Sequence, residues 1–351
     1  LDFFLSAKEN FPAFSSYLPH MKPTFQPLGA TGLEVTRMGL GLAALGRPGY
    51  INIGHAEDLA YNYVVEAMER RTHRLLDLAY KNGIRYFDAA RSYGRAERFL
   101  LSWLQEKDPD DVTVASKWGY TYTADWEVET DIHEIKDHSL SNLHKQWDES
   151  KVLLPWLRLY QIHSATFESG VLDDKSVLNR LAAIREREGV KIGLSVSGPQ
   201  QAEVLQRALA IELDGQRLFD VCQATYNVLE QSAGPVLRAA AAEGVGVIVK
   251  EALANGRLTP RNDDEAFALN KQRLEIMGRE YQVGMDAIAL AFVLSRSWVH
   301  VVLSGAAVEN HLLSNLDALK IDLGPDAQGQ IEQMKMEREA YWEKRSKLAW
   351  N

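Results

Sequence analysis

A chain of 351 residues with 46% hydrophobic and 25% charged side chains has the make-up of a folded globular protein with ample core material, which excludes disordered and fibrous architectures. The net charge of −9 and the lack of a long Lys/Arg block speak against a nucleic-acid or membrane-surface partner. No apolar run approaches the roughly 18 residues of a membrane-crossing helix, and the single cysteine, Cys222, points to a reducing, cytoplasmic setting.

Leu1 to His20 is rich in aromatics but lacks the basic, apolar and small-residue regions of a signal peptide. Met21 reads as the start of the native chain, residues 1–20 as an extension or a segment added by cloning, and 21–351 as a single domain. Phe25–Arg37 reads as two extended pieces around Gly29-Ala30-Thr31-Gly32, a hairpin that would plug one mouth of a barrel. Eight short β-branched runs follow: Met38–Leu42, Ile84–Asp88, Val112–Lys117, Leu157–His163, Lys191–Val196, Phe219–Thr225, Val245–Lys250 and Val299–Ser304. Helical spacing occupies Ala56–Lys81, Gly94–Gln105, Ile132–Glu149, Leu172–Glu188, Pro199–Ile211, Ala233–Glu243, Ala266–Tyr281 and Glu309–Leu319, with a helical tail over Asp326–Lys347.

Strict alternation of strand and helix requires a mostly parallel sheet. Continuous apolar runs such as Val245-Gly-Val-Ile-Val fit strands buried on both faces. Glycine at Gly83, Gly189 and Gly244 repeats one helix-stop signal. Eight units predict a closed (β/α)8 TIM barrel with an N-terminal β-hairpin and an extra C-terminal helix. Three steps are long, at 46 (Met38 to Ile84), 45 (Val112 to Leu157) and 54 residues (Val245 to Val299), and the last holds a loop, Glu251–Glu265, able to fold over a ligand.

In such a barrel the reacting groups lie at the carboxyl ends of strands. Strand two ends in Asp88 with Tyr93 just beyond, strand three in Lys117, and strand four in His163. Four ionisable types would thus converge on one mouth. An ammonium beside a tyrosine lowers its pKa from about 10, so Lys117 is expected to tune Tyr93, Asp88 to hold Lys117, and His163 to hydrogen-bond a substrate oxygen. Taken singly, each has an ordinary reading as a cap, an ion pair or packing. The set together suits protonation of an oxygen while its carbon is attacked.

These residues carry a resemblance to the aldo-keto reductase superfamily. Phe87-Asp88-Ala-Ala-Arg-Ser-Tyr93-Gly94-Arg-Ala-Glu97 resembles the family's Phe-Asp-Thr-Ala-x-x-Tyr-Gly-x-x-Glu signature, and Ser116-Lys117 and Gln161-Ile-His163 resemble two further motifs. The likeness runs from about Phe25 to Leu319. It implies a nicotinamide cofactor across the carboxyl mouth and reversible reduction of an aldehyde, ketone or sugar carbonyl. It also implies Tyr93 as general acid, Lys117 and Asp88 as its partners, and His163 orienting the carbonyl. By the same likeness, cofactor contacts fall on Gly41, Ser195, Gln223, Lys250, Leu253, Gly305, His311 and Asn315.

Three positions depart from the family pattern. Val196 replaces an asparagine that contacts the nicotinamide amide, Lys250 replaces a stacking tyrosine, and Ala307 replaces a serine or arginine that holds the adenosine 2′-phosphate. NADP(H) is slightly favoured over NAD(H), with His311 or Arg257 as a substitute phosphate contact. No metal is expected, the partner is a small carbonyl or sugar, and oligomeric state is open. The aromatics Trp118, Tyr120, Tyr122 and Trp126 either line a substrate pocket, with Trp118 and Tyr120 foremost, or form their loop's own core.

Gly39-Leu-Gly41-Leu-Ala-Ala-Leu-Gly46 imitates a dinucleotide glycine loop with its third glycine two places late. Gly39 and Gly41 read instead as room for a cofactor or as ordinary strand-end turns. Two further functions stay open: a nicotinamide-binding regulatory or sensor subunit on the same barrel, and an NAD-preferring sugar dehydrogenase.

Overall fold

A computed structural model describes residues 22–351. The extension at 1–20 lies outside the described residues. Eight parallel strands close a barrel: β1 (Met38–Gly41), β2 (Tyr86–Asp88), β3 (Thr113–Trp118), β4 (Leu157–Ala165), β5 (Lys191–Val196), β6 (Val221–Thr225), β7 (Gly246–Lys250) and β8 (Val301–Ser304). Each strand pairs with its neighbours in sequence, and β8 returns to β1. Every expected strand is present, as is the hairpin, in which Phe25–Pro27 pairs antiparallel with Glu34–Thr36.

The hairpin closes the amino-terminal mouth. Its Leu28 and Val35 join Tyr86, Leu159, Val221 and Ile248 in a buried layer inside the barrel. Around the strands, the helix Lys175–Glu188 illustrates how the units are punctuated. Asp174 accepts hydrogen bonds from the Ser176 and Val177 amides at its start, and Gly189 ends it at φ 71°, a conformation that favours glycine.

Four helical expectations change. The segment expected as one helix over Ala56–Lys81 is two, His55–Asp58 and Val65–Lys81, because Ala60 and Tyr61 turn left-handed at φ 51° and 52°. The start of the expected Ile132–Glu149 helix is instead a strand, Glu134–Lys136, paired with Tyr120–Tyr122, and the helix begins after the Ser139 cap and runs over Leu140–Ser150. An unanticipated helix, Met285–Leu294, precedes β8 with all of its residues buried. Lacking a polar face, it has no amphipathic period to read. The tail is two helices, Pro325–Glu332 and Arg338–Ser346. No helix among the described residues is long and apolar enough to cross a membrane.

Candidate active site

The carboxyl mouth opens into a cavity of about 540 Å³, within the range of small-molecule and cofactor sites. At its base Asp88, ending β2, forms an ion pair with Lys117 of β3. Both side chains are buried, and Lys117 Nζ also donates to the Ala89 carbonyl at 2.9 Å. Gln223 on β6 donates to the other Asp88 oxygen at 3.0 Å. A buried charge pair needs such additional partners to offset its desolvation.

Tyr93 sits on the loop after β2, its ring 4.9 Å from Lys117 Nζ and edge-on to His163 with ring centres 5.4 Å apart. Gly46 brings the β1 loop against this turn. Arg95 N–H donates to the Gly46 carbonyl at 2.7 Å, and a Cβ on Gly46 would fall 2.1 Å from the Tyr93 carbonyl oxygen. The out-of-register third glycine of the imitation motif is thus a packing glycine. Gly39 is another: its missing Cβ leaves room for Tyr86, whereas Gly41 lines the cavity.

His163 owes its placement to an irregularity in β4. The pairing of β4 with β5 slips between Ile162 and Ala165, and Ser164 is left-handed at φ 50°. Bulges of this kind re-aim side chains beside active sites. Ser195 on β5 fixes it, its Oγ accepting the Ser164 N–H at 2.9 Å. Ser195, expected at the cofactor, is fully buried and does not line the cavity.

Burial dominates the electrostatics. It holds the Tyr93 hydroxyl well above its ordinary pKa, with the Asp88 charge adding and Arg47 opposing. The lowering expected from Lys117 does not outweigh burial. His163 is held well below its ordinary value by burial, with the charges of Lys117, Lys250 and Arg47 adding, so its imidazole is neutral. Lys250 is pulled down to about 8 by burial, against the opposing charge of Glu251 and with Arg345 adding. Its Nζ donates to Ser197 Oγ at 2.8 Å and Thr225 Oγ1 at 3.0 Å.

Of the other expected residues, Leu253, Gly305, His311 and Asn315 line the cavity with Lys250 and Gln223. Asn315 accepts from Ser304 Oγ at 2.8 Å and donates to Asp286 at 3.1 Å. Val196 and Ala307 are buried in the core. Trp118 is also a core residue and not a cavity wall, while Tyr120 packs on His163 with ring centres 5.1 Å apart. Arg257 stacks on Tyr341 at 4.2 Å outside the cavity lining.

Several lining groups lie outside the sequence motifs. Arg47, from the first insertion, pairs with Glu134 at 3.0 Å and stacks against Tyr50, Tyr93 and Trp350 at 5.0, 5.4 and 4.8 Å. Trp350 stacks on His133, and Asn351 exchanges two backbone hydrogen bonds with Tyr50. Arg345 of the last helix pairs with Glu251 beside Lys250 at 2.7 Å. Only the long steps and the unexplained tail signalled that these segments cover the mouth.

The aldo/keto reductase family profile matches residues 37–335. The chain belongs to the aldo/keto reductase family. Among curated members of this oxidoreductase family, it is similar to pyridoxal 4-dehydrogenase of Microbacterium luteolum, with 26% identity over 82% of this chain and 91% of the relative. It is also similar to D-threo-aldose 1-dehydrogenase of a Pseudomonas species, with 25% identity over 87% of this chain and 96% of the relative. In fold, it resembles the holo form of an aldo-keto reductase from Bacillus halodurans, with a TM-score of 0.66 and 21% identity over 90% of this chain and 96% of the other.

The family generally uses nicotinamide cofactors, and the cavity fits such a group. It runs from Tyr93 and His163 to Gly305 and the helix Glu309–Asp317. A Cβ on Gly305 would meet nothing within 4 Å, and the helix starts at Val308 with no side-chain cap, so its first amides are available to a polar ligand.

Proposed function

We propose that the protein is a nicotinamide-dependent oxidoreductase that reduces an aldehyde, ketone or sugar carbonyl, or oxidises the corresponding alcohol, with Tyr93 as proton donor and acceptor. The observation that carries this reading is the meeting of Asp88, Tyr93 and His163 at one cavity, with Lys117 buried against Asp88 and the Tyr93 ring, from three successive βα units. A bound nicotinamide dinucleotide supplies the hydride for reduction and accepts it for oxidation.

The protein's share is proton transfer and positioning. Both Tyr93 and His163 are neutral at pH 7, so each can donate a hydrogen bond to a carbonyl oxygen. Ser92 Oγ lies 3.3 Å from His163 Nδ1, and a hydrogen bond donated there leaves the imidazole proton on Nε2. As charge builds on the substrate oxygen, Tyr93 gives up its proton, and Lys117, held in place by Asp88, stands 4.9 Å from the ring of the phenolate left behind. Arg47, Glu134 and the Trp350 face border the same end of the cavity, a mix of charged and aromatic groups that suits a polar, hydroxyl-bearing aldehyde or sugar. The names of the two curated relatives, a pyridoxal and an aldose dehydrogenase, point the same way.

Tyr93→Phe is expected to lose at least 100-fold in kcat on the best substrate of an aldehyde and sugar panel, with dinucleotide affinity within threefold of wild type. Undiminished turnover in that variant would sink the assignment. Tight dinucleotide binding with no turnover on any panel member would instead favour the sensor reading, which the replacement of a stacking tyrosine by Lys250 motivates.

A further inference from the structure

The end of the cavity remote from Tyr93 is lined by Asp58, His311, Ser314, Asn315 and Arg261. Asp58 comes from the short helix His55–Asp58 of the first insertion, a segment that belongs to none of the sequence motifs. Its carboxylate lies 2.5 Å from Arg261 and 3.6 Å from His311 in the first turn of the helix Glu309–Asp317, and its side chain is only 10% exposed. Arg261 is held in place, one guanidinium nitrogen pairing with Asp58 and another donating to the Gly54 carbonyl at 2.8 Å, with its side chain 35% exposed. Ala307, where a phosphate-binding side chain could stand, is apolar and buried.

Resting on the proposed function, we infer that Asp58 selects NAD(H) over NADP(H). A dinucleotide that places its reactive ring by Tyr93 must extend its adenosine toward this end. A carboxylate there accepts a hydrogen bond from a free ribose 2′-hydroxyl and repels a 2′-phosphate. The uncapped start of the helix would otherwise attract that phosphate, but Asp58 already supplies an anion beside its first turn. Two further cations do not line the cavity: Arg71, coupled electrostatically to Asp58 and held by the Leu59 carbonyl at 2.9 Å, and Arg74, paired with Glu309 at 3.4 Å. This inference reverses the slight preference for NADP(H) expected from sequence.

The test is binding, read from protein and nicotinamide fluorescence, with NADH and NADPH titrated into wild type, Asp58→Asn and Arg261→Met. Wild type is expected to bind NADH at least tenfold more tightly than NADPH. Asp58→Asn should narrow that ratio at least fivefold, and Arg261→Met, which breaks the same ion pair but keeps the carboxylate, should not narrow it. On wild type alone, 5′-AMP should compete with NADH at least tenfold better than adenosine 2′,5′-bisphosphate, a comparison that survives if a variant fails to fold. Equal or tighter NADPH binding by wild type overturns the inference, as does an unchanged ratio in Asp58→Asn or an equal narrowing in Arg261→Met. Failure of both dinucleotides to bind overturns the proposed function itself and is a separate result.

Discussion

Lys250 shows how one side chain can couple the site to pH. It is buried, bonded to two hydroxyls and close to both Glu251 and the Lys117–Asp88 pair, and burial pulls its ammonium down to about 8. Below that pH it adds a positive charge to the cavity. The oxidised nicotinamide ring is itself a cation and the reduced ring is neutral, so deprotonating Lys250 should help the oxidised form alone. Affinity for the oxidised dinucleotide is therefore expected to rise severalfold as pH increases from 7 to 9, while that for the reduced form changes less. In Lys250→Met the inflection near pH 8 should vanish; a titration series in which it persists assigns the effect elsewhere. Residues of this kind differ in how legible they are in sequence. Asp88, Tyr93, Lys117 and His163 can be placed because each sits at or just beyond a strand end, where the barrel fixes direction. Arg47 and Glu134 cannot, since their pairing depends on how two insertions fold toward each other.

At the scale of elements, the strands are the most legible part, because burial on both faces writes itself as short apolar runs between glycine and polar stops. The helix Met285–Leu294 was hidden by the same burial, which removes the polar face on which helical periodicity depends. The insertions were visible only as excess length. One contact between elements carries a direct consequence for the site. The β1 loop rests on the Tyr93 turn through Gly46, where a Cβ would lie 2.1 Å from the Tyr93 carbonyl and 2.6 Å from the Ala96 amide. Both are backbone atoms, so the clash cannot be relieved by a rotamer. Gly46→Ala is expected to cost about 1–3 kcal/mol of stability by overpacking and to lower kcat at least tenfold by displacing Tyr93, with denaturant melts and steady-state rates as readouts. A variant with wild-type kcat would show that the turn tolerates this shift.

Across the whole molecule, the tail closes over the barrel mouth, meeting the first insertion through the Tyr50–Asn351 backbone hydrogen bonds and the ends of β6 and β7 through polar contacts, one of them an ion pair. Arg345 reaches Glu251 at the end of β7, and Tyr341 of the same helix accepts a hydrogen bond from Asn227 at 2.9 Å. Burial alone would raise the Glu251 carboxyl, but the charges of Arg345 and Lys250 outweigh it and hold the group at about 2. A carboxylate with a depressed folded-state pKa contributes stability that is complete above its unfolded value of roughly 4.3 and is lost as pH falls toward the folded value. Arg345→Met leaves Glu251 buried with Lys250 as its nearest cation, at 3.8 Å. At pH 7 this should cost on the order of 3 kcal/mol. The gap between variant and wild type should then close as pH is lowered from about 4.5 to 2, because protonation removes the interaction from wild type as well. The same loosening should raise KM for the carbonyl substrate more than it weakens dinucleotide binding, since Trp350 borders the Tyr93 end of the cavity beside Arg47. Urea melts across that pH range, paired with KM and dinucleotide Kd at pH 7, separate the two effects. A stability gap that stays constant down to pH 2 would show that Arg345 acts by packing and not by charge.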